Sequence, residues 1–371
     1  MTILSMDQLN IPQMMLELEI SYMRPGSYHT NIIDTIVIES KDGTLLEYEY
    51  THGKITNVND KYRSELSEVL EKSGLYDLNY EFTPNNLLNL KPDNRSYILN
   101  DGSDFLKKIE SHMDYEGWFQ KIFQCFQHVL LIPDTNFLLN CYYSNYFKNT
   151  AQKNKSRVIF ALSRLTLLEV ERIHNEIAKV IKPLERKLVN NEIPEKDLEN
   201  AKKSLEENKR QMRLGFQAIG EIGEMIRDGA SLIPYNENLI KSFPRSSGVA
   251  FADSSIRLEI DEYAKEVRKQ GNDIIFLTSD LLNSLMSVAE NMNTLYIYNT
   301  KKIRERNHDI AKLIYSTCVF FEECTITIKS NVTTSERKFK LKSVWGGKST
   351  EEWANRKVDY IPLSNASDNV S

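Results

Sequence analysis

Four acidic residues each stand alone beside apolar sequence, where a strand or a helix is expected to end or begin. The four acids are Asp134, Glu169, Asp253 and Asp280. A single acid in such a place usually caps a helix. As a set in this order, the four acids suggest a shared metal site. Carboxylate oxygens are ligands that suit Mg²⁺ or Mn²⁺, and carboxylates that lie close together repel one another without a cation. Such ions can activate water and offset charge on a phosphodiester.

The elements that must position these acids are short apolar runs. His128–Pro133 is a continuous run of the buried-strand type, and Asp134 follows it directly. Ile274–Thr278 is a second such run, with Asp280 just past it, and Thr294–Tyr298 is a third. Strands that alternate with helices predict an α/β fold with a parallel sheet between helices, in which chemistry gathers at the carboxyl ends of the strands.

A second acid, Glu171, lies two residues beyond Glu169 on the same predicted helix and is the alternative candidate for the site. Glu171 points about 200° away from Glu169 around the helix axis. Glu169 lies above Ile173 on the packed face, so we expect Glu169 to face the site.

In these motifs the sequence resembles the PIN-domain nucleases, over about residues 128–300. The motifs are Asp134-Thr135-Asn136, the helix-borne Glu169, Ala252-Asp253 opening a helix, and Thr278-Ser279-Asp280. The resemblance implies a PIN-like sheet and a metal-dependent nuclease that acts mostly on RNA, with the four acids as ligands of Mg²⁺ or Mn²⁺. Thr135, Asn136, Thr278 and Ser279 are expected beside the ligands or on phosphate. The chain departs from compact members in the long spacing between Glu169 and Asp253, which are 84 positions apart.

Two apolar stripes in highly charged sequence predict a long helical hairpin over about residues 170–228. Asn190, Asn191 and Pro194 mark its turn, and Pro183 lies inside its first helix. We expect this hairpin to project from the domain. Two roles stay open: a spacer or coiled-coil dimerisation arm, which would make a homodimer, and an arm that grips the substrate.

Two basic segments are candidates for binding RNA. The first follows the aromatic residues Tyr142, Tyr143, Tyr146 and Phe147 and comprises Lys148, Lys153, Lys155 and Arg157. Aromatic rings beside cations suit single-stranded RNA, although a buried aromatic face followed by a surface loop has the same pattern. The second comprises Lys338, Lys340 and Lys342, which alternate with Phe339 and Leu341.

Composition limits the classes of protein. The 371 residues carry a net charge of −5, which excludes a uniformly basic nucleic-acid coat. The chain contains no apolar stretch near the roughly 18 residues that a membrane span needs. The N-terminus lacks signal-peptide features, and the four cysteines have no metal-ligand spacing. We therefore expect a cytoplasmic protein with reduced thiols.

The pattern along the chain predicts four parts. Asp42-Gly43 predicts a hairpin turn in the first of them. The expected parts are an N-terminal α+β module (1–102), a PIN-like domain carrying the hairpin (103–310), a small basic β-rich module (311–361) and a disordered tail (362–371).

The function expected from these observations is metal-dependent endonucleolytic hydrolysis of RNA. Two alternatives stay open: a structure-specific DNA endonuclease, in which the arm clamps a strand, and a catalytically silent scaffold that binds RNA or protein. A silent scaffold has no reason to keep a costly cluster of carboxylates, so the four acids favour catalysis.

Overall fold

The structure is a computed structural model of the full chain. It describes residues 2–5, 35–49, 52, 54–83, 129–153, 158–234, 249–270, 272–303, 310–329, 336–344 and 357–363. Lys155, Arg157 and the predicted tail beyond Leu363 lie outside these residues. Residues 357–363 form a strand, so the first two residues of the predicted tail, Pro362 and Leu363, belong to regular structure.

The chain divides into two compact units. The first, which we call the antiparallel unit, comprises Met1–Tyr76, Ile181–Gly220 and Lys301–Ser371. The second, the parallel-sheet unit, comprises Asp77–Val180 and Glu221–Thr300. The fold is thus mixed α/β, with parallel and antiparallel strand pairs and flanking helices.

The antiparallel unit is built on a seven-stranded sheet in the order β1-β13-β12-β11-β2-β3-β4. In chain order its strands are β1 (Thr2–Ser5), β2 (Thr35–Ser40), β3 (Gly43–Glu49), β4 (Lys54–Val58), β11 (Glu323–Lys329), β12 (Glu336–Val344) and β13 (Lys357–Leu363). The expected hairpin forms at Gly43, whose φ of 126° suits glycine. Helices α1 (Arg63–Lys72) and α8 (Ile310–Phe321) supply further residues to the core of this unit.

This sheet joins segments that the sequence analysis assigned to separate modules. Strand β11 pairs with β2, so that Ile326 lies opposite Ile38, and both side chains are buried. Strands β1 and β13 also pair, with Leu4 opposite Val358. The first and last parts of the chain therefore share one sheet and one core. Sequence patterns could not show this, because they report on local structure and pairing partners lie far apart.

The parallel-sheet unit holds a six-stranded sheet in the order β5-β10-β9-β6-β7-β8. In chain order its strands are β5 (Tyr76–Thr83), β6 (Val129–Pro133), β7 (Val158–Leu162), β8 (Ser231–Leu232), β9 (Asp273–Thr278) and β10 (Thr294–Ile303). The pairs from β10 to β8 are parallel. Strands β6 and β9 are buried along their whole length, as the continuous apolar runs predicted.

Helices connect these strands. They are α2 (Thr135–Leu139), α3 (Lys148–Lys153), α4 (Arg164–Val189), α5 (Glu195–Arg227), α6 (Val249–Lys269) and α7 (Leu281–Ala289). A π-helical turn, Tyr143–Phe147, lies between α2 and α3. Ile256, Ile260 and Ala264 of α6 pack on Ile274 and Phe276 of β9 in one hydrophobic core.

Helices α4 and α5 occupy the region of the predicted long hairpin, with its turn between Val189 and Glu195. Residues Ile181–Gly220 belong to the antiparallel unit, where Leu214 joins the hydrophobic core. Arg213 is buried and donates to the backbone carbonyls of Val319 (2.8 Å) and Phe320 (3.1 Å). The middle of α5 therefore packs in a domain core, whereas residues 182–204 around the turn are exposed or partly exposed. Within the described part of the chain, no helix has the length and apolar character needed to cross a membrane.

Candidate functional site

Asp134 lies where β6 ends and α2 begins. Its backbone N–H donates to the carbonyl of Leu277 on β9 over 2.8 Å, which ties the end of one strand to the next. Its Oδ1 accepts from the backbone N–H of Phe137 over 2.7 Å, so the residue caps α2. The capping role proposed for isolated acids is real here, but it uses only one of the two carboxylate oxygens.

The second oxygen of Asp134 accepts hydrogen bonds from two side chains. The hydroxyl of Thr278 donates to Oδ2, and so does the amide nitrogen of Asn283, over 3.4 Å. Asp134 is only 2% exposed. Burial raises the pKa of its carboxyl from 3.8 to about 7, the hydrogen bonds oppose that rise, and the charge of Asp253 adds to it.

Glu169 lies on the second turn of α4 and is buried. The hydroxyl of Thr135 donates to its Oε2. Burial raises the pKa of the Glu169 carboxyl, and repulsion from Asp253 raises it further. Glu171 is exposed, so Glu169 is the acid that faces the end of β6, as its position on the helix predicted.

Asp253 and Asp280 complete the predicted set. Asp253 lies on the second turn of α6, because that helix begins at Val249, a few residues earlier than expected. Burial raises the pKa of the Asp253 carboxyl, the charge of Asp280 raises it further, and Arg257 opposes the rise. Asp280 caps α7 by accepting from the backbone N–H of Asn283 over 3.0 Å.

Asp253 links the four acids electrostatically. Its negative charge acts on Asp134 and on Glu169, and the charge of Asp280 acts on Asp253. The contacts place the four acids in one region. Asp134 and Asp280 follow the paired strands β6 and β9, and Thr135 donates to Glu169. Arg257, one turn after Asp253, donates to Asn283, which donates to Asp134. That region is the edge of the sheet where β6 and β9 end.

The four carboxylates are not arranged as a complete set of metal ligands. Among the described residues, no three acidic, His or Cys side chains converge closely enough to hold a metal ion. The donor chemistry nevertheless fits Mg²⁺ or Mn²⁺, which prefer carboxylate oxygens. Each carboxylate oxygen has two lone pairs, so Asp134 can accept its hydrogen bonds and still bind a cation.

The predicted supporting residues fall into two groups. Thr135 and Thr278 are buried and donate to Glu169 and Asp134, so they orient the acids. Asn136 and Ser279 are partly exposed, and Ser279 accepts from the side chain of Asn140 over 3.3 Å. Only these two remain placed to contact a phosphate.

A polar network behind the acids, made of the buried residues Arg257 and Asn283 and the exposed Glu290, was not predicted from the sequence. Arg257 donates to both carboxylate oxygens of Glu290, over 2.8 and 3.2 Å, and to Oδ1 of Asn283 over 2.6 Å. Asn283 in turn donates to Asp134. One available signal was the spacing of Asn283, Ser284 and Ser287, which places three polar side chains on one face of an otherwise apolar helix.

That helix, α7, reverses the usual arrangement of a surface helix. Asn283, Ser284 and Ser287 are buried. Its large apolar side chains are instead exposed by 43–67%, namely Leu281, Leu282, Leu285 and Met286. Helix α7 therefore turns its hydrogen-bonding side chains toward the site and its apolar ones outward.

The aromatic residues of the first basic segment do not form the expected stacking surface. Tyr142, Tyr143, Tyr146 and Phe147 are all buried and cannot stack on bases, so the alternative of a buried aromatic face is the one the structure shows. Phe137 and Phe160 pack against them. Lys148 lies 3.4 Å from a carboxylate oxygen of Glu224, and Lys153 lies on α3.

The second basic segment forms strand β12 of the antiparallel unit, with the expected alternation. Phe339 and Leu341 are buried, whereas Lys338 and Lys342 are exposed. Lys340 is partly exposed and pairs with Glu323 on β11 over 2.6 Å.

Comparisons of the chain with protein-family models, with curated proteins and with solved structures give no match. The functional argument therefore rests on the residues of the site.

Proposed function

We propose that the chain is a metal-dependent endonuclease that hydrolyses RNA at the four-carboxylate site. One observation carries this proposal: Asp134 and Asp280 directly follow the paired parallel strands β6 and β9, and the hydroxyl of Thr135, beside Asp134, donates to Glu169 at the same edge of the sheet. In such sheets ligands bind at this edge. Gathering four negative charges costs free energy, and a divalent cation offsets that cost.

The four acids would hold Mg²⁺ or Mn²⁺. A bound ion would supply a water of lowered pKa and would offset charge on the phosphodiester. The protein contributes orientation: Thr278 and Asn283 hold one oxygen of Asp134, the Phe137 N–H holds the other, and Thr135 holds Glu169.

The four acids differ in solvent exposure, and this difference suggests which of them lie on the side from which the substrate enters. Asp134 and Glu169 are buried, so their carboxylates are held in fixed positions. Asp253 and Asp280 are partly exposed and lie nearer to solvent, the side from which a nucleic acid arrives. The site can therefore admit a bulky phosphate without opening the core of the unit.

The deciding experiment is cleavage of end-labelled single-stranded RNA and DNA by the purified full chain with Mn²⁺, with Mg²⁺ or with EDTA. We expect cleavage of RNA with either metal and none in EDTA. Asp134→Asn should reduce cleavage by at least about a hundredfold, because Asn keeps the shape of the side chain but lacks the charge that holds the ion.

Asp273→Asn is the matched control. Asp273 is also buried, burial raises its pKa too, and it lies at the opposite end of β9. This variant should cleave within a few fold of wild type. Cleavage that resists EDTA, or equal losses in both variants, would contradict the proposal. A clear preference for DNA would replace RNA as the substrate.

A further inference from the structure

Two tyrosines on β10 form a stacked pair beside the four acids. The rings of Tyr296 and Tyr298 have centroids 5.1 Å apart and planes inclined by 25°. Leu295 and Ile297, which alternate with them, are fully buried. Because successive side chains of a strand point to opposite faces, both tyrosines share the other face, where they are partly exposed.

The strand register places this pair next to the site. Tyr296 is aligned with Thr278 on β9 in the parallel ladder, and neighbouring strands lie about 4.8 Å apart. Aligned residues of a parallel pair point to the same face, so Tyr296 shares the face of Thr278, whose hydroxyl donates to Asp134. Burial raises the pKa of the Tyr296 hydroxyl, and the charges of Glu81, Tyr298 and Asp280 raise it further.

The pair is held in place before any ligand arrives. The amide of Asn79, on the edge strand β5, donates to the hydroxyl of Tyr298 over 3.4 Å. Tyr296 packs against that ordered ring. An aromatic surface that is already ordered loses little conformational entropy when a ligand stacks on it.

We propose that Tyr296 and Tyr298 form a stacking site for an unpaired nucleobase next to the phosphodiester held at the four acids. This inference rests on the proposed function and adds that the substrate is single-stranded there. A base is free to stack on protein only where it is unpaired, and every base offers a flat π-face. The site should therefore prefer single strands to duplexes and tolerate different base sequences.

The test measures binding separately from cleavage. A fluorescent single-stranded oligoribonucleotide of about ten residues, its DNA counterpart and a duplex are titrated with the full chain in EDTA, and anisotropy is followed. Stacking is worth about 1–3 kcal/mol per base, so Tyr296→Ala should bind single strands about 5–150-fold more weakly. Tyr296→Phe keeps the flat ring and should bind like wild type.

Tyr263→Ala is the matched control, because Tyr263 is a partly exposed tyrosine of the same unit, ten residues beyond Asp253 on α6. It should bind single strands within about twofold of wild type. A series of oligonucleotides, each with one abasic position at a different place along the strand, locates the stacked base. Wild type should lose affinity at one or two positions, and Tyr296→Ala should show no such dependence.

Each outcome decides between the two proposals. If wild type cleaves with Mn²⁺ but Tyr296→Ala binds normally, or keeps the abasic dependence of wild type, the stacking site is wrong and the proposed function stands. Duplex binding as tight as single-strand binding also overturns the stacking site. If wild type neither binds single strands nor cleaves them, both proposals are wrong.

Discussion

Arg257 fixes the orientation of Asn283. Its guanidinium donates to Oδ1 of Asn283 over 2.6 Å, which leaves the amide nitrogen to face the Asp134 carboxylate. Glu290 holds the same guanidinium through two hydrogen bonds, so the arginine has little freedom to move. The carboxylate of Asp134 is thus held by the buried residues Asn283 and Arg257, and the exposed Glu290 holds the arginine in turn.

This relationship predicts that Arg257→Lys weakens metal binding although it keeps the positive charge, because lysine lacks the planar fork. Asn283→Leu should act in the same direction by removing the donor to Asp134. We expect Mn²⁺ affinity, measured by calorimetry without nucleic acid, to fall about 10–100-fold in both variants, as is typical when partners of metal ligands are lost.

Asn293→Leu separates this effect from general damage to the fold. Asn293 is equally buried, but its amide donates to the carbonyl of Ile274, near the other end of β9. Its loss should lower the melting temperature and leave Mn²⁺ affinity within about twofold of wild type. If all three variants changed only the melting temperature, Asn283 would have a purely structural role.

The raised pKa of Asp134 predicts how the stability of the metal-free protein depends on pH. The folded state holds the Asp134 proton up to about pH 7, whereas the ordinary pKa of an aspartate side chain is 3.8. Between these two values the folded state binds more protons than the unfolded state, so stability is greatest at the acidic end and falls as the pH rises toward 7. Each pH unit in this window is worth about 1.4 kcal/mol per proton.

Asp134→Asn should remove much of this fall and leave the variant as stable as wild type or more stable at pH 7 in EDTA. Urea unfolding of both proteins at pH 5, 6 and 7 measures the difference. A stability of wild type that does not fall with pH across this window would contradict a raised pKa of the Asp134 carboxyl in the folded state.

The lysines of β12 predict a salt-dependent contribution to RNA binding. Replacing Lys338, Lys340 and Lys342 by serine should weaken binding of long RNA and flatten its log–log salt slope by about 2, at roughly 0.7 per phosphate contact for single strands. Replacing the exposed α5 lysines Lys196, Lys202 and Lys203 by serine removes the same charge from the same unit.

The β12 variant should still cleave a very short RNA at the wild-type rate, because none of its lysines belongs to the four-acid site. Equal salt slopes for the two triple variants would mean that β12 contributes only general charge. Equal losses on long and short RNA would mean that the three lysines support the fold.

The buried position of Arg213 predicts that the middle of α5 stabilises the antiparallel unit. The guanidinium of Arg213 donates to two backbone carbonyls in the last turn of α8. The last carbonyls of a helix have no hydrogen-bond partner within that helix. Arg213→Met should lower the free energy of unfolding by about 3 kcal/mol, because buried carbonyls and the Glu322 carboxylate lose their donor.

Lys209→Met is the control for Arg213→Met. Lys209 lies on the same helix as Arg213 and pairs with Glu185 of α4, but both side chains are partly exposed. Such pairs contribute at most about 1 kcal/mol. Urea unfolding measures both variants, and equal small effects would show that the Arg213 contacts do not stabilise the unit.

The sequence alone predicted the parts of the fold that depend on local pattern. The continuous apolar run before Asp134 became a buried strand, and the Asp42-Gly43 turn formed a hairpin. The helical position of Glu169 correctly distinguished it from Glu171. In each case the period of the apolar residues, or the chemistry of the turn, determines the result within a few residues.

Features that depend on distant pairing escaped prediction. No residue near Ile38 in the sequence indicates that Ile326 will lie opposite it in the sheet. The aromatic residues after Asp134 have the composition of a base-stacking surface, and only tertiary packing shows that Tyr142 is fully buried. Arg257 was invisible for the same reason, because its partners lie 26 and 33 residues away.

The pairing of β2 with β11 also fixes an order of assembly during synthesis. The parallel-sheet unit is made from Asp77–Val180 and Glu221–Thr300, so all of its residues have been synthesised while β11 to β13 are still to be made. Until then β2 exposes an unpaired edge, which is the feature of a sheet most prone to aggregation. A chain that ends before Glu323 would therefore contain every residue of the four-acid site. Its first hairpin, made of β2 and β3, would lack the partner strand β11.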